Sequence, residues 1–363
     1  MKLIEYIRKN RIEKTISNLK LSSHQKDNLI LLKYNQIKSD LRKDVVKESR
    51  GIIIDINTLK VISFPFKRFV NHTDYHKDNI DWKTARIQKK LDGSLMQLYY
   101  YDKKWRVGTS GTLDASGFIG ESNITYNDLF FSLFDEEKLN KLNTNYNYIF
   151  ELTTNLHTIV TTFEDNNITL LTVRNLLEID NSVYGELNRK DCEKISKQLN
   201  IDIIEEYPMN SLEELLKSFK TMKFTDEGYV VVDDNFNRLK VKNPAWNAAH
   251  HNKGNKLNIN KLIDIVKSNE IIEFVEAYPN TKYKLLKLKE KYNKIINFLD
   301  YVKENKKKLN NKELAGLIYK EISERNLNKS LIGMTFSYLN NYIDKDVYDF
   351  LYDTSNKVLM KYL

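Results

Sequence analysis

The chain has 363 residues, a formal charge of +9 and a sequence pI near 9.1; this length exceeds one typical core and points to two domains of about 100–200 residues each. Its single cysteine, Cys192, excludes an intrachain disulfide and a cysteine-based zinc site. No run approaches about 18 apolar residues, and residues 1–10 lack the apolar core of a signal peptide, so a soluble cytoplasmic protein with no membrane partner is expected. The positive excess suits a polyanionic partner, as it also suits an ordinary soluble surface.

Residues 1–45 read as polar helices, with Ile12, Ile16 and Leu19, then Ile30, Tyr34 and Ile37, at helical spacing. From Gly51 the pattern changes. Residues 52–56 and 61–64 form a predicted hairpin of two mostly buried strands, with Arg50 just before the first. A polar stretch over 81–88 then leads into Lys89-Lys90-Leu91-Asp92-Gly93-Ser94. A lysine two residues before Asp-Gly, at the mouth of a strand, is what nucleophilic attack on a phosphoanhydride requires: Lys90 would be the nucleophile, Asp92 can reach a metal or a ribose, and Gly93 permits tight backbone beside a ligand. Alone the motif is weak, since Asp-Gly is also an ordinary turn dipeptide. A second hairpin follows, with strands over 95–101 and 105–107, and then a glycine-bearing loop over 108–120.

Two further strands are predicted at 148–152 and 168–173. Glu151 interrupts the first, and a carboxylate there must face water or find a partner. Helices are expected at 189–199 and from Ser211, where Glu214 stands at capping-box spacing. Residues 226–232 and 237–242 read as another hairpin. With a four-residue loop over 233–236, Val232 pairs with Asn237, Tyr229 faces Lys240 and Glu227 faces Lys242, so that Glu227, Lys240 and Lys242 share one face. On an isolated hairpin this would be a solvated face with a salt bridge of little worth. Joined to the Lys90 element, it suggests a phosphate and metal site, because phosphates need several cations and a metal needs an oxygen ligand.

Taken together, Lys90-Leu91-Asp92-Gly93-Ser94, Phe150-Glu151, Glu227-Gly228-Tyr229-Val230 and Lys240-Val241-Lys242 resemble, in order and spacing, the signature motifs of covalent nucleotidyltransferases. Upstream, Glu48-Ser49-Arg50-Gly51 and Phe69-Val70-Asn71 resemble the additional elements of the phage RNA ligase 1 family. The resemblance implies an α+β fold with a nucleotidyltransferase domain of antiparallel sheets flanked by helices. It also implies ATP-dependent sealing of RNA 5′-phosphate and 3′-hydroxyl ends through a lysyl-adenylate, with Mg2+ or Mn2+. Position by position, it makes Lys90 the adenylated lysine and places Glu151 at the ATP ribose. Glu227 falls near the metal and the nucleophile, with Asp92 a second metal candidate, and Lys240 and Lys242 fall on the α-phosphate and leaving pyrophosphate. Arg50 would engage the triphosphate, and Arg68 stands where the family often has another cation. One departure is clear: the element over 107–112 has Ser110 where a basic residue is expected, so that either Arg106 substitutes or the contact is absent.

From Lys256 onward only helical periods appear, such as Leu285, Leu288 and Tyr292, then Ile295, Phe298, Leu299 and Val302. The expected domains are thus 1–254, the nucleotidyltransferase, and 255–363, all helical. The latter lacks the short strands of the OB-fold that would suit a DNA ligase or a capping guanylyltransferase, the alternative enzymes. Residues 255–363 hold 20 Lys or Arg against 14 Asp or Glu. The basic residues are densest over 282–312, among Tyr283, Tyr292 and Tyr301, and this domain is expected to hold the RNA, with a cleaved tRNA as the family's expectation. Solvated lysines on a helical bundle account for each residue equally well. A noncatalytic RNA-binding protein on the same scaffold would have lost Lys90 or its partners, and all are present. The six histidines show no trusted metal spacing: His72 and His76 are four apart where no helix is predicted. The chain is expected to act as a monomer, in the cytoplasm of a cell or of a phage- or virus-infected host.

Overall fold

The computed structural model describes residues 1–363 apart from 75–76, 159, 224, 248–258, 269–270 and 307. The chain divides into two units, Met1–His250 and His251–Leu363. The boundary expected between 254 and 255 lies outside the described residues, as do His76, His250 and His251. Among the described residues no helix is long and apolar enough to cross a membrane.

The first unit is α+β, as expected, and is built on three largely antiparallel sheets. The first has the order β1 (Leu21–Lys26), β2 (Leu29–Tyr34), β3 (Arg50–Asp55), β4 (Val61–Ser63). Residues 21–34 are thus a hairpin, not the helix that the spacing of Ile30 and Tyr34 suggested. The physical reason is that both faces of β2 are covered. Ile30 and Leu32 pack with Ile52 and Ile54 against Leu3, Ile4 and Ile7 of the N-terminal helix Lys2–Asn10, while Leu29, Leu31 and Ile53 pack toward Tyr99 and Leu113. A strand buried on both faces reads as a continuous apolar run, whose periodicity does not separate strand from helix.

The second sheet runs in space β11 (Asp202–Ile203), β10 (Asn167–Asn175), β9 (Tyr146–Thr153), β7 (Ser94–Tyr101), β8 (Lys104–Thr109). The hairpin expected over 95–107 is β7 and β8, turned at Asp102 and Lys103, both at positive φ. A helix at Tyr126–Leu133, not foreseen from the sequence, covers this sheet with Leu129 and Phe130. The third sheet has the order β12 (Glu206–Tyr207), β6 (Arg86–Lys89), β13 (Gly228–Val232), β14 (Arg238–Lys242), β5 (Val70–Asn71). Strand β6 lies in the stretch read as polar, and it carries Lys90 at its end. One face of this sheet, with Ile87, Tyr229, Val231, Leu239 and Val241, is buried against Leu215 of the helix Leu212–Ser218. By strand alternation the other face presents Gln88, Lys90, Val230, Lys240 and Lys242.

In the second unit the described residues of 259–363 form helices, the longest Lys282–Lys306. Leu285, Leu288, Tyr292, Ile295, Leu299 and Val302 of that helix recur at three- and four-residue spacing and enter a core with Phe274, Ile318 and Tyr338. Tyr292 is therefore a core residue, whereas Tyr283 is 75% exposed.

Candidate active site

Lys90 stands one residue beyond β6, and its amide donates to the carbonyl of Gly228 at 2.9 Å. Gly228 pairs on its other side with Lys242. Lys90, Gly228 and Lys242 thus form one row across three strands, and Gln88, Val230 and Lys240 form the next. The register differs by one from that expected. The loop has five residues, 233–237, because the Asp233 carboxylate accepts from the amides of Asn235 (3.0 Å) and Asn237 (2.9 Å) and Phe236 takes a positive φ, so Val232 faces Arg238. Strict alternation would then turn Glu227 to the buried face with Tyr229. It does not, because Gly228 adopts φ +128° and breaks the alternation. Glu227 Oε2 lies 2.6 Å from Lys90 Nζ, and Oε1 lies 3.8 Å from Lys242 Nζ. The convergence foreseen for Glu227, Lys240 and Lys242 is reached by a different geometry, with Lys90 included.

These side chains line a cleft of about 530 Å³, within the size range of small-molecule sites. Its opposite wall comes from the second sheet and from β3. Glu151, on β9, packs so closely under Gly93 that a β-carbon there would stand 2.9 Å from Glu151 Cγ. Burial pushes the Glu151 carboxyl up to about 7; Lys90 opposes this shift, Glu227 adds to it, and the Gly93 amide hydrogen bond opposes it. Arg50 enters from the start of β3, with its guanidinium 4.8 Å from the Phe69 ring centroid and its Nη1 buried without a hydrogen-bond partner. Burial lowers its pKa from the ordinary arginine value.

The cleft thus brings together Lys90, Glu151, Glu227, Lys240, Lys242 and Arg50. Two candidates do not line it. Asp92 is 8% exposed, and its Oδ2 accepts from the amides of Val160 and Thr161, both at 3.0 Å, which ties the turn after Lys90 to the loop after β9. Arg68 lies with its guanidinium 6.0 Å from the Tyr34 ring centroid. Ser110 does line the cleft. Arg106 instead lines a separate cavity of about 270 Å³ with Trp105 and Asn127, beside Asp27 at 3.9 Å.

Arg238 lies outside the motifs named above, although its spacing of two from Lys240 and four from Lys242 places it on their face. It lines the cleft and is fixed by Glu186, which accepts from its Nη1 at 3.0 Å and from Arg174 Nη2 at 2.9 Å.

Chemically, the cleft offers a primary amine beside a carboxylate, with several cations where a polyphosphate would bind. Glu151 and Glu227 are the carboxylates of its lining, and among the described residues no cluster of three potential metal ligands occurs. Such a donor set fits a divalent cation held largely by substrate phosphates and water, as Mg2+ commonly is.

No protein-family model matches the chain. It is 27% identical to an RNA ligase of Rhodothermus phage RM378, over 73% of this chain and 70% of that protein. It is also 27% identical, over 73% of its length, to a protein of Autographa californica nuclear polyhedrosis virus named for both polynucleotide kinase and RNA ligase, of which it spans 39%. Among solved structures, an archaeal ATP-dependent RNA ligase shares 9% identity over 94% of this chain and 99% of that one, with a TM-score of 0.49. A chain of Aquifex aeolicus assigned as an ATP-dependent DNA ligase shares 15% over 91% and 98%, also with a TM-score of 0.49. The two sequence relatives support the phage-type RNA ligase that the motifs resemble.

Proposed function

We propose that this chain is an ATP-dependent RNA ligase that joins 5′-phosphate and 3′-hydroxyl RNA ends through AMP carried on Lys90. The observation that carries the reading is the 2.6 Å pairing of Lys90 Nζ with Glu227 in a cleft that also holds Lys240, Lys242 and Arg50. An ammonium has no lone pair, so Lys90 must give up a proton, and Glu227 is the carboxylate within reach to take it. Lys90 Nζ then attacks the α-phosphorus of ATP. The new N–P bond forms as the bond to the bridging oxygen of the β-phosphate breaks, and pyrophosphate leaves.

Lys240, Lys242 and Arg50 offset the charge that builds on the phosphates, while Glu151 accepts from a ribose hydroxyl. A divalent cation, Mg2+ or Mn2+, would be held by Glu227 with ATP oxygens and would supply further charge neutralisation. The AMP next passes to an RNA 5′-phosphate. Attack by a 3′-hydroxyl closes the phosphodiester and releases AMP. Residues 1–254 carry this chemistry, and residues 255–363 hold the RNA, a nicked tRNA being one substrate to try.

The test is incubation with ATP or GTP labelled at the α-phosphate, with Mg2+, followed by a denaturing gel. The expected result is a covalent label from ATP that Lys90→Ala abolishes, and sealing of a 5′-phosphorylated RNA in preference to nicked DNA. Labelling from GTP would move the chain to capping chemistry, and no label from either nucleotide would overturn the proposal.

A further inference from the structure

Strand β3 contains a bulge at Gly51. Leu32 of β2 pairs with Ile52, yet the next residue, Lys33, pairs with Arg50, so that Gly51, at φ +86°, stands outside the ladder. Without the bulge Arg50 would share the face of Ile52 and Ile54, which pack under the N-terminal helix. With it, Arg50 turns to the opposite face, that of Leu29, Leu31 and Lys33 along β2. Two cations are therefore placed directly opposite each other, an arrangement that destabilises a sheet unless something else needs it.

Among the described residues no carboxylate forms an ion pair with either cation, although the charge of Glu151, in the same cleft, acts on Arg50. Among the described residues the Lys33 ammonium has no hydrogen bond and no carboxylate partner, and Arg50 Nη1 is buried without one. Burial and the charge of Arg50 both lower the Lys33 pKa from its ordinary value. The pair also adjoins the place where a basic residue is missing. A β-carbon on Gly51 would stand 2.9 Å from the carbonyl oxygen of Ser110, and Lys33 Nζ lies 3.8 Å from where a β-carbon on Gly111 would stand. The Ser110-Gly111 backbone thus rests on the bulge and beside Lys33, and both Ser110 and Arg50 line the cleft.

We infer that Lys33 supplies, from β2, the phosphate-binding charge that Ser110 lacks, and that with Arg50 it seats the β- and γ-phosphates of the nucleotide as they become the pyrophosphate leaving group. This rests on the nucleotidyl-transfer reading above. The like-charge pair is then explained: it is completed by an anion, and its cost in the free protein is offset on binding.

The test exchanges the two positions. With the wild-type chain first shown to label from ATP, Lys33→Ser should slow self-adenylation at subsaturating ATP by about 10- to 100-fold, the size expected for one hydrogen bond to a charged group. Adding Ser110→Lys to Lys33→Ser should recover most of that loss. The melting temperature of Lys33→Ser should hold or rise, since a like-charge pair is relieved, whereas a merely structural lysine would lower it. Inorganic tripolyphosphate binding, followed by calorimetry, should weaken in Lys33→Ser and return in the exchange variant, whether or not the wild-type chain labels. A wild-type chain that fails to label sinks the ligase reading. Unchanged tripolyphosphate affinity and unchanged labelling in Lys33→Ser sink this one. So does a defect confined to AMP transfer onto a 5′-phosphorylated RNA, which would move the seat from the nucleotide to the RNA end.

Discussion

Glu227 reaches Lys90 at 2.6 Å from a position that strand alternation alone would assign to the buried face of its sheet. The reversal depends on Gly228. A β-carbon there would stand 2.3 Å from the carbonyl oxygen of Val241, and φ +128° is a conformation that side chains of L-residues rarely adopt. Gly228→Ala must therefore relax its backbone, at a cost of about 1–3 kcal/mol in strain alone, and Glu227 shifts with it. Self-adenylation is expected to fall about 100-fold, as for a misplacement of roughly 1 Å in a reacting constellation. Melting curves alongside labelling rates check this; a variant that melts lower yet labels at the wild-type rate would show that Gly228 serves the fold and not the site.

The Glu151 carboxyl gives the free protein a pH signature. Its folded pKa, raised by burial to about 7, lies above the value of about 4.3 for an unperturbed glutamate. Between these values the folded chain holds a proton that the unfolded chain has lost, so stability from this group falls as pH rises, and the loss is complete above about pH 7. Glu151→Gln removes the titration. The melting temperature of the variant minus that of the wild type should therefore increase from pH 5 to pH 8. A difference that stays flat across that window would mean that Glu151 is ionised throughout.

How much of this was legible in the sequence differs from residue to residue. Lys90, Glu151, Glu227, Lys240 and Lys242 stand in short motifs visible in the sequence, and the fold brings all five to one cleft. The pairing of Val232 with Arg238 was not legible, because loop length was set by Asp233 capping two amides of its own turn, a choice that composition leaves open. The hairpin β1–β2 carries helical spacing in its sequence because a strand covered on both faces has no alternation to detect. Asp92, in turn, has the residue type of a metal ligand, and only the fold shows its Oδ2 accepting from the amides of Val160 and Thr161. Lys33 lies 57 residues before Lys90 in the chain, and a bulge on the neighbouring strand decides which side chain it meets.

An RNA surface on the helical unit has a direct test. Tyr283 is 75% exposed, and the Lys287 ammonium stands 6.0 Å from its ring centroid, leaving an aromatic face and a cation together on the helix Lys282–Lys306. Base stacking on such a ring contributes about 1–3 kcal/mol, and each lysine–phosphate contact adds about 0.7 to the salt slope for single strands. Tyr283→Ala should weaken RNA binding at every salt concentration, whereas Lys287→Gln should flatten the slope by roughly that one contact. Self-adenylation should be untouched in both. Fluorescence anisotropy with a short labelled RNA over a salt series reads both effects, and wild-type affinity and slope in both variants would place the RNA elsewhere.

Glu186 ties the cleft to the core. It is 7% exposed and accepts hydrogen bonds from Arg174, from both terminal nitrogens of Arg238, and from the Thr172 hydroxyl at 2.8 Å. The guanidiniums stand over Phe66, at 5.9 Å for Arg174 and 4.8 Å for Arg238. Burial opposes the Glu186 charge, but the two arginines outweigh it and hold the carboxyl below the usual glutamate range. The linkage sign is therefore the reverse of that for Glu151. The stability Glu186 contributes is fully present above about pH 4.3, the unfolded reference, and is lost as pH falls through the depressed folded value. Glu186→Gln keeps the shape but leaves two buried cations without a counter-charge, a change expected to cost about 3–5 kcal/mol. Because Arg238 shares the face of Lys240 and Lys242, the variant should also bind ATP less well, even at temperatures where it remains folded. Urea unfolding at pH 7 and nucleotide titration on the same preparation separate the two effects. If stability falls while ATP affinity holds, Arg238 anchors β14 without touching the nucleotide; if neither changes, the triad adds nothing that a neutral amide cannot replace.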